Sequence, residues 1–198
     1  MLTNEFIKDC IRQAYACACN HGFHEKDLSY QHMAMLVITE LGEAVEADRK
    51  GRHALRKVYT KKVAEGGSRD ELFERYIKDT VEDELADVVI RLCDMCGAYD
   101  LGKYVSMEST GVSYLRCGFK DKFSFVELMY GLTSVIADTT VPQLNNPIER
   151  TAAIIACVET SLVFIDVLCK QYDIDIAWHV RAKMQYNESR PKRHGKSY

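Results

Sequence analysis

Two short acidic pairs lie within otherwise apolar stretches of this sequence and restrict how it can fold. The pairs are Glu40 with Glu43 and Glu84 with Asp87. A step of three residues turns an α-helix by about 300°, so each pair projects its carboxylates from nearly one side of a helix. At roughly 4 Å and an effective dielectric near ~20, each like-charge contact costs on the order of 4 kcal/mol. If these carboxylates converge between packed helices, protons or a divalent cation must neutralise them.

One member of each pair falls inside the apolar stripe of its predicted helix, and the other borders it. The stripes are Met33, Leu36, Val37, Glu40 and Ala44 in one helix and Ile77, Val81, Glu84, Val88 and Leu92 in the other. A carboxylate in a core stripe without a partner is costly, which favours a metal site over two solvated helix faces. A hard cation such as Mg²⁺ takes oxygen ligands and commonly binds substrate phosphates. The residues alone therefore point towards phosphate-ester chemistry.

Long stretches of 3.6-residue periodicity and only three prolines predict an all-α helical bundle. Ser68 and Asn146 have the residue type and position of helix N-caps. The segment 51–67 is basic and is predicted as irregular, and 102–120 is predicted as a loop. The predicted helices span about 4–20, 30–50, 68–99, 122–138, 147–172 and 174–188.

Two short segments of the chain resemble later ones and suggest an internal repeat. Residues 43–48 resemble 133–138, and residues 96–101 resemble 169–174. In this register Tyr130 occupies the position of Glu40, so the second copy would keep the packing and lack the acidic site. Chance similarity between two helical hairpins is the alternative.

Composition restricts the partners and the compartment. The net charge of −3 gives no general case for binding a nucleic-acid polymer. Charged residues within 1–20 argue against a signal peptide, and Glu159 and Asp166 interrupt the longest apolar run, which argues against a membrane span. The eight cysteines lie mostly in apolar helical stretches, as reduced core thiols do, so we expect a cytoplasmic protein.

The acidic pairs, taken with their neighbours and their order, carry a family resemblance. Glu40-Leu41-Gly42-Glu43 followed by Glu84-Leu85-Ala86-Asp87-Val88-Val89 resembles the acidic signature of the MazG-like all-α nucleoside triphosphate pyrophosphohydrolases. The run from Lys183 to Lys196 is similar to the end of short family members. The resemblance covers about 30–101 and 173–198, so 102–172 looks like an inserted helical hairpin in a single all-α domain. Thr39 stands where the family often has a further glutamate, which leaves the number of bound metal ions open.

The resemblance implies an enzymatic activity and a cofactor. Glu40, Glu43, Glu84 and Asp87 would be the catalytic residues and would bind Mg²⁺, with Mn²⁺ as an alternative, and the metal would grip a triphosphate. Hydrolysis between the α and β phosphates would give a nucleoside monophosphate and pyrophosphate. The residue that acts as general base and the preference for base and sugar stay open.

The resemblance also implies substrate contacts near the end of the chain. Lys183 and Asn187 are four residues apart on one helix face, and both would contact the substrate. Arg190 and Lys196 belong to a basic tail that would close over the phosphates, a solvated tail being the alternative. Arg91 lies one turn beyond Asp87, and we expect a structural ion pair between them.

The assembly and the competing functions follow from the same resemblance. Family members usually form homodimers, and here the hairpin 102–172 is expected to pack beside the two acidic helices as a pseudo-dimer within one chain. One alternative is a non-catalytic helical module that binds a nucleotide or a protein partner through a relic metal site. Another is a hydrolase of nucleoside diphosphates.

Overall fold

The computed structural model describes residues 1–108, 123–138 and 140–191. These residues form α-helices joined by short turns, with a 3-10 turn at Val141–Gln143. The predicted all-α fold is confirmed. The helices are α1 (Asn4–Asn20), α2 (Tyr30–Arg49), α3 (Arg56–Ala64), α4 (Arg69–Tyr76), α5 (Val81–Ala98), α6 (Phe125–Ile136), α7 (Pro147–Gln171) and α8 (Ile176–Glu188).

Side-chain caps explain where several helices begin. The Ser68 side chain accepts a hydrogen bond from the backbone N–H of Glu71, and Asn146 accepts one from Ile148, with Pro147 in the first turn. These bonds satisfy backbone donors that have no partner inside the helix. Both predicted caps are confirmed.

The prediction of one unbroken helix over 68–99 is wrong. The chain leaves α4 after Tyr76 and starts α5 at Val81. Asp79 has a φ of +56°, a left-handed conformation that a right-handed helix cannot contain. Thr80 then caps α5 by accepting a hydrogen bond from the backbone N–H of Asp83. Periodicity concealed this break, because Ile77 and Val81 on its two sides are both buried.

The prediction of an irregular segment over 51–67 is also wrong, because Arg56–Ala64 is helical. Tyr59 is the buried residue of this short helix. Its ring packs edge-on against Phe73 of α4 and Trp178 of α8, with ring centroids 6.5 and 5.7 Å apart. One aromatic anchor in a basic stretch leaves no periodic apolar signal to detect.

Helix α5 lies at the centre of the fold and packs against α1, α2, α7 and α8. Its side chains at Leu85, Val88, Val89 and Leu92 are completely buried. Helix α7 has the length and apolar composition of a membrane span, but 67% of its most apolar window is buried within the protein. That burial is typical of a core helix.

The described part of 102–172 is joined to the rest of the fold along its length. Helix α6 packs against α2, and α7 packs against both α6 and α5. The Tyr30 hydroxyl of α2 donates a hydrogen bond to the carbonyl oxygen of Ile136, at 3.1 Å. An origin of the α6–α7 hairpin by duplication of α2 and α5 stays a prediction.

Candidate functional site

A cavity of about 320 Å³ opens between α1, α2, α5 and α8. This volume is at the lower end of the range for small-molecule sites, about 300–1,000 Å³. Several charged side chains that sequence analysis singled out line this cavity: Glu40, Glu43, Glu84, Asp87, Arg91, Lys183 and Arg190.

Three of the four predicted metal ligands converge in the cavity. Glu40, Glu84 and Asp87 each place a carboxylate oxygen so that the three atoms lie within 4.8 Å of one another. Glu40 and Glu84 are buried, as their positions in the apolar stripes predicted. Close packing of α2 against α5 brings the two sequence pairs together. Glu43 lies nearly one turn beyond Glu40, at the exposed rim of the cavity and outside this group.

Two cations hold this acidic group together from inside the protein. The Nε atom of Arg91 donates a hydrogen bond to Oε1 of Glu40, at 3.1 Å. The Nζ atom of Lys183 lies 2.6 Å from Oδ2 of Asp87 and 2.8 Å from Oδ2 of Asp83. The predicted pair between Arg91 and Asp87 is therefore wrong. The cationic partner of Asp87 is instead Lys183, which belongs to α8 and is far from Asp87 in the sequence.

Burial and mutual repulsion change how these groups ionise. Burial raises the pKa of Glu84, and the charges of Asp87 and Asp83 raise it further, to about 8. Burial and the charge of Asp87 likewise raise the pKa of Glu40, against the opposing effect of its Arg91 partner. Without a bound cation, the fold thus favours the protonated form of Glu84 at neutral pH.

Lys183 responds in the opposite direction. Burial alone would lower the pKa of its ammonium group, but the charges of Asp87 and Asp83 outweigh burial and raise that pKa above the ordinary value. The side chain is 5% exposed, so a fixed positive charge lies inside the protein beside the carboxylates.

Asp83 was missed by sequence analysis although it belongs to the same network. It is 1% exposed, and among the described residues its Oδ1 atom has no hydrogen-bond partner. Burial raises its pKa to about 6, because the attraction of Lys183 only partly offsets desolvation and the charge of Asp87. The available signal was its spacing of four residues from Asp87, which puts both carboxylates on one helix face.

The opposite side of the cavity carries a second polar pair that was not predicted. Asp94 lies two turns beyond Asp87 on α5, and its Oδ1 accepts a hydrogen bond from Nε2 of His24 at 2.7 Å. Both side chains are only 10% exposed. Apolar residues of α1, among them Ala14 and Ala18, form the adjacent wall. Nothing local in the sequence connects His24 with a residue seventy positions away.

Three of the four predicted substrate contacts, Lys183, Asn187 and Arg190, lie among the described residues. Asn187 lines the cavity, and its Oδ1 atom is buried without a hydrogen-bond partner among the described residues. The guanidinium of Arg190 lies 5.8 Å from the ring centroid of Tyr186. Lys183 lines the cavity while it is bonded to the carboxylates. Lys196 lies outside the described residues. Substrate contact by these residues stays a prediction.

The donor set fits a hard divalent cation. Bonds of 2.0–2.1 Å in an octahedral Mg²⁺ complex place ligand oxygens about 3 Å apart in adjacent positions and about 4.2 Å apart in opposite ones. The three carboxylate oxygens, which lie within 4.8 Å of one another, are close to these separations. Purely oxygen ligands favour Mg²⁺ or Mn²⁺ over metals that prefer thiolate or imidazole. Glu40, Glu84 and Asp87 are thus the residues that could hold the ion.

No protein-family model, curated protein or solved structure matches this chain.

Proposed function

We propose that this protein hydrolyses nucleoside triphosphates, ribo or deoxyribo, to nucleoside monophosphate and pyrophosphate in a reaction that depends on Mg²⁺. The observation that supports this most is the convergence of Glu40, Glu84 and Asp87 in a cavity that basic side chains also line. Carboxylates that hold a cation next to fixed positive charges form the environment that a polyphosphate requires. Cleavage between the α and β phosphates is taken from the motif resemblance.

The three carboxylates would hold the ion, and Glu43 at the rim would face the incoming phosphates. A bound divalent cation would supply neutralisation of phosphate charge and a lowered pKa for a coordinated water. Glu84 has to lose its proton before it can act as a ligand, because its pKa is raised to about 8. Cation binding near neutral pH should therefore release a proton from the protein.

The two internal cations would become phosphate ligands when the carboxylates turn to the metal. Lys183 and Arg91 donate hydrogen bonds to Asp87 and Glu40, respectively, at 2.6 and 3.1 Å. A divalent ion on these carboxylates competes with both ion pairs. The ammonium and guanidinium groups would then face phosphate oxygens, for which a guanidinium fork gives directional contacts and an ammonium a compact charge. Together these contacts would orient the triphosphate.

One observation favours a second candidate, a non-catalytic module that binds a nucleotide or a protein partner. The ion pairs of Lys183 and Arg91 already neutralise part of the acidic group within the protein. A relic site could persist in this form without a metal ion, since Glu40 and Asp87 have cationic partners and the raised pKa of Glu84 favours its neutral form.

The test is a product panel. The protein is incubated with Mg²⁺ and each common ribonucleoside or deoxyribonucleoside triphosphate, and separately with the corresponding diphosphates, and the products are resolved by chromatography. We expect monophosphate and pyrophosphate, lost in Glu84→Gln and retained in Glu65→Gln, a control on an exposed glutamate outside the cavity. Metal-dependent binding without turnover would favour the module. Turnover confined to nucleoside diphosphates would replace the proposed reaction with cleavage of another phosphoanhydride.

A further inference from the structure

The cavity has two ends of different chemistry. Glu84 and Asp87 belong to the acidic end. Asp94 lines the other end, and the apolar residues Ala18 and Phe23 line the same cavity, Phe23 being the chain neighbour of the Asp94 partner His24. Asp94 follows Asp87 by seven residues on α5, which corresponds to about 10 Å along the helix axis at 1.5 Å per residue. A nucleotide likewise carries its phosphates and its base at opposite ends of an extended molecule. The acidic end suits a cation with phosphates, and the apolar end suits a flat ring.

Asp94 is held in one orientation at the apolar end. The Nε2–H group of His24 donates to Oδ1 of Asp94 at 2.7 Å, and the His24 ring packs on Tyr15 with ring centroids 5.0 Å apart. Within 1–108, 123–138 and 140–191, His24 is the hydrogen-bond partner of Asp94, so Oδ2 remains for a ligand. An ionised carboxylate only accepts hydrogen bonds. A group placed against Oδ2 must therefore carry an N–H or O–H donor.

We propose that Asp94 is a specificity-determining residue that selects bases with an exocyclic amino group. The assignment rests on the proposed function in taking a nucleotide as the occupant of the cavity. Cytosine, adenine and guanine offer an amino donor to the free oxygen of Asp94. In the same pose uracil turns a carbonyl oxygen and hypoxanthine a C–H towards the carboxylate, while their ring N–H donor lies at the neighbouring position of the base edge. A site built to accept a hydrogen bond discriminates strongly against a ligand that cannot donate it, because the buried acceptor is then left unpaired.

The pairing of Asp94 with His24 also argues against a phosphate at this end. An anionic phosphate would meet the negative Asp94 in a largely water-excluded place, where like charges repel strongly. His24 is the positioning residue in this arrangement. It binds Oδ1 of Asp94 and so leaves Oδ2 for a ligand, and its own contacts are to protein groups.

The test measures binding of nucleoside monophosphates, which the proposed reaction cannot consume. Isothermal titration calorimetry with Mg²⁺ compares CMP with UMP and GMP with IMP, pairs in which one member lacks the amino group. We expect the amino member to bind at least about 10-fold more tightly, the worth of one good carboxylate–amine contact. Asp94→Asn should bring the ratio in each pair towards one, because the amide can offer a donor as well as an acceptor. Asp9→Asn, on the exposed face of α1, should leave both ratios unchanged.

The outcomes test the role of Asp94 separately from the proposed hydrolase activity. Equal affinities within both pairs would overturn the role of Asp94, and so would an unchanged preference in Asp94→Asn. The hydrolase proposal is judged separately by the product panel, so turnover without base preference overturns only the inference drawn here. Preference without turnover keeps the inference and favours the binding module. Failure to bind any monophosphate overturns the inference about Asp94 and leaves the hydrolase proposal to the product panel. If Asp94→Asn does not melt cooperatively and is therefore not folded, the same titrations are made with His24→Gln. A full preference for the amino-bearing monophosphates in His24→Gln would then count against the proposal.

Discussion

Lys183→Met should destabilise this protein more than an ordinary surface substitution does. Lys183 is 5% exposed, and its ammonium group is bonded to Asp83 and Asp87 at 2.8 and 2.6 Å. Removal of one member of a buried ion pair leaves the other charge uncompensated, which typically costs about 3–5 kcal/mol. Methionine fills most of the space of the aliphatic chain, so the loss reports the charge rather than a cavity.

The pH dependence of that loss follows from Asp83. Burial already raises the pKa of Asp83 to about 6 with Lys183 present, and loss of the positive charge would raise it further. In Lys183→Met, Asp83 would therefore keep its proton to a higher pH. At pH values above the raised pKa, each unit of the upward shift would lower the free energy of unfolding by about 1.36 kcal/mol. The penalty should be larger at pH 8 than at pH 6.

The matched control is Lys61→Met. Lys61 and Glu65 approach only to 3.9 Å, with side chains 77% and 58% exposed. Such a surface pair contributes about 0–1 kcal/mol. Urea unfolding in the presence of a chelator gives the free energy of unfolding of each protein at pH 6 and pH 8. Added Mg²⁺ should then restore part of the stability of Lys183→Met, because a ligand that binds only the folded state stabilises it.

The reasoning about the buried charge network would be refuted by one result in particular. If Lys183→Met lost no more stability than Lys61→Met at pH 8, the ammonium would not be compensating the carboxylates. A loss that was equal at both pH values would locate the effect in packing and contradict the role of Asp83.

Three further predictions concern single side chains. Glu84 has a pKa of about 8 in the fold against an ordinary value of 4.5, so the fold binds its proton more tightly than the unfolded chain does. The metal-free protein should therefore lose stability as pH rises from about 4.5 through 8, and Glu84→Gln should flatten that part of the melting profile; an unchanged slope would contradict this. Gly97→Ala would place a Cβ 2.3 Å from Cβ of Tyr15, so it should push α1 from α5 and cost about 1–3 kcal/mol in urea unfolding. In Gly42→Ala the added Cβ has no atom within 4 Å, so the substitution should raise the free energy of unfolding by about 0.5–1 kcal/mol. A lower free energy of unfolding would count against the assignment of Gly42 to the interior of α2.

The sequence was sufficient for most of the helices, but not for α3 or for the break between α4 and α5. Caps such as Ser68 and Asn146 are local hydrogen bonds between near neighbours, so residue type and spacing predict them. The break at Asp79 depends on a left-handed backbone that aspartate adopts only in some contexts. Helix α3 depends on Tyr59, which is buried by residues of α4 and α8 that a local pattern does not contain.

The residues of the site also fall into those that the sequence predicts and those that it does not. Glu40 and Glu84 were predictable because a charged residue in an apolar stripe is anomalous wherever it occurs. The role of Lys183 was not predictable, because its partner Asp83 lies 100 residues earlier in the chain. Asp94 similarly meets its partner His24 only after α5 has packed against the turn that follows α1. Contacts of this kind are produced by packing, and no short motif encodes them.

The α6–α7 hairpin explains how the acidic group can be held in place. No described residue of α6 or α7 lines the cavity, whereas α6 packs against α2 and α7 packs against α5. The completely buried side chains of Leu85, Val88, Val89 and Leu92 anchor α5 in this core. Each contributes about 1.5–3 kcal/mol, which together exceeds one like-charge contact of roughly 4 kcal/mol at a dielectric near ~20. The helices that carry the carboxylates therefore cannot move apart to relieve repulsion. Relief has to come from protons, from the two internal cations or from a bound ion, and for this reason we expect the cavity to bind a divalent cation.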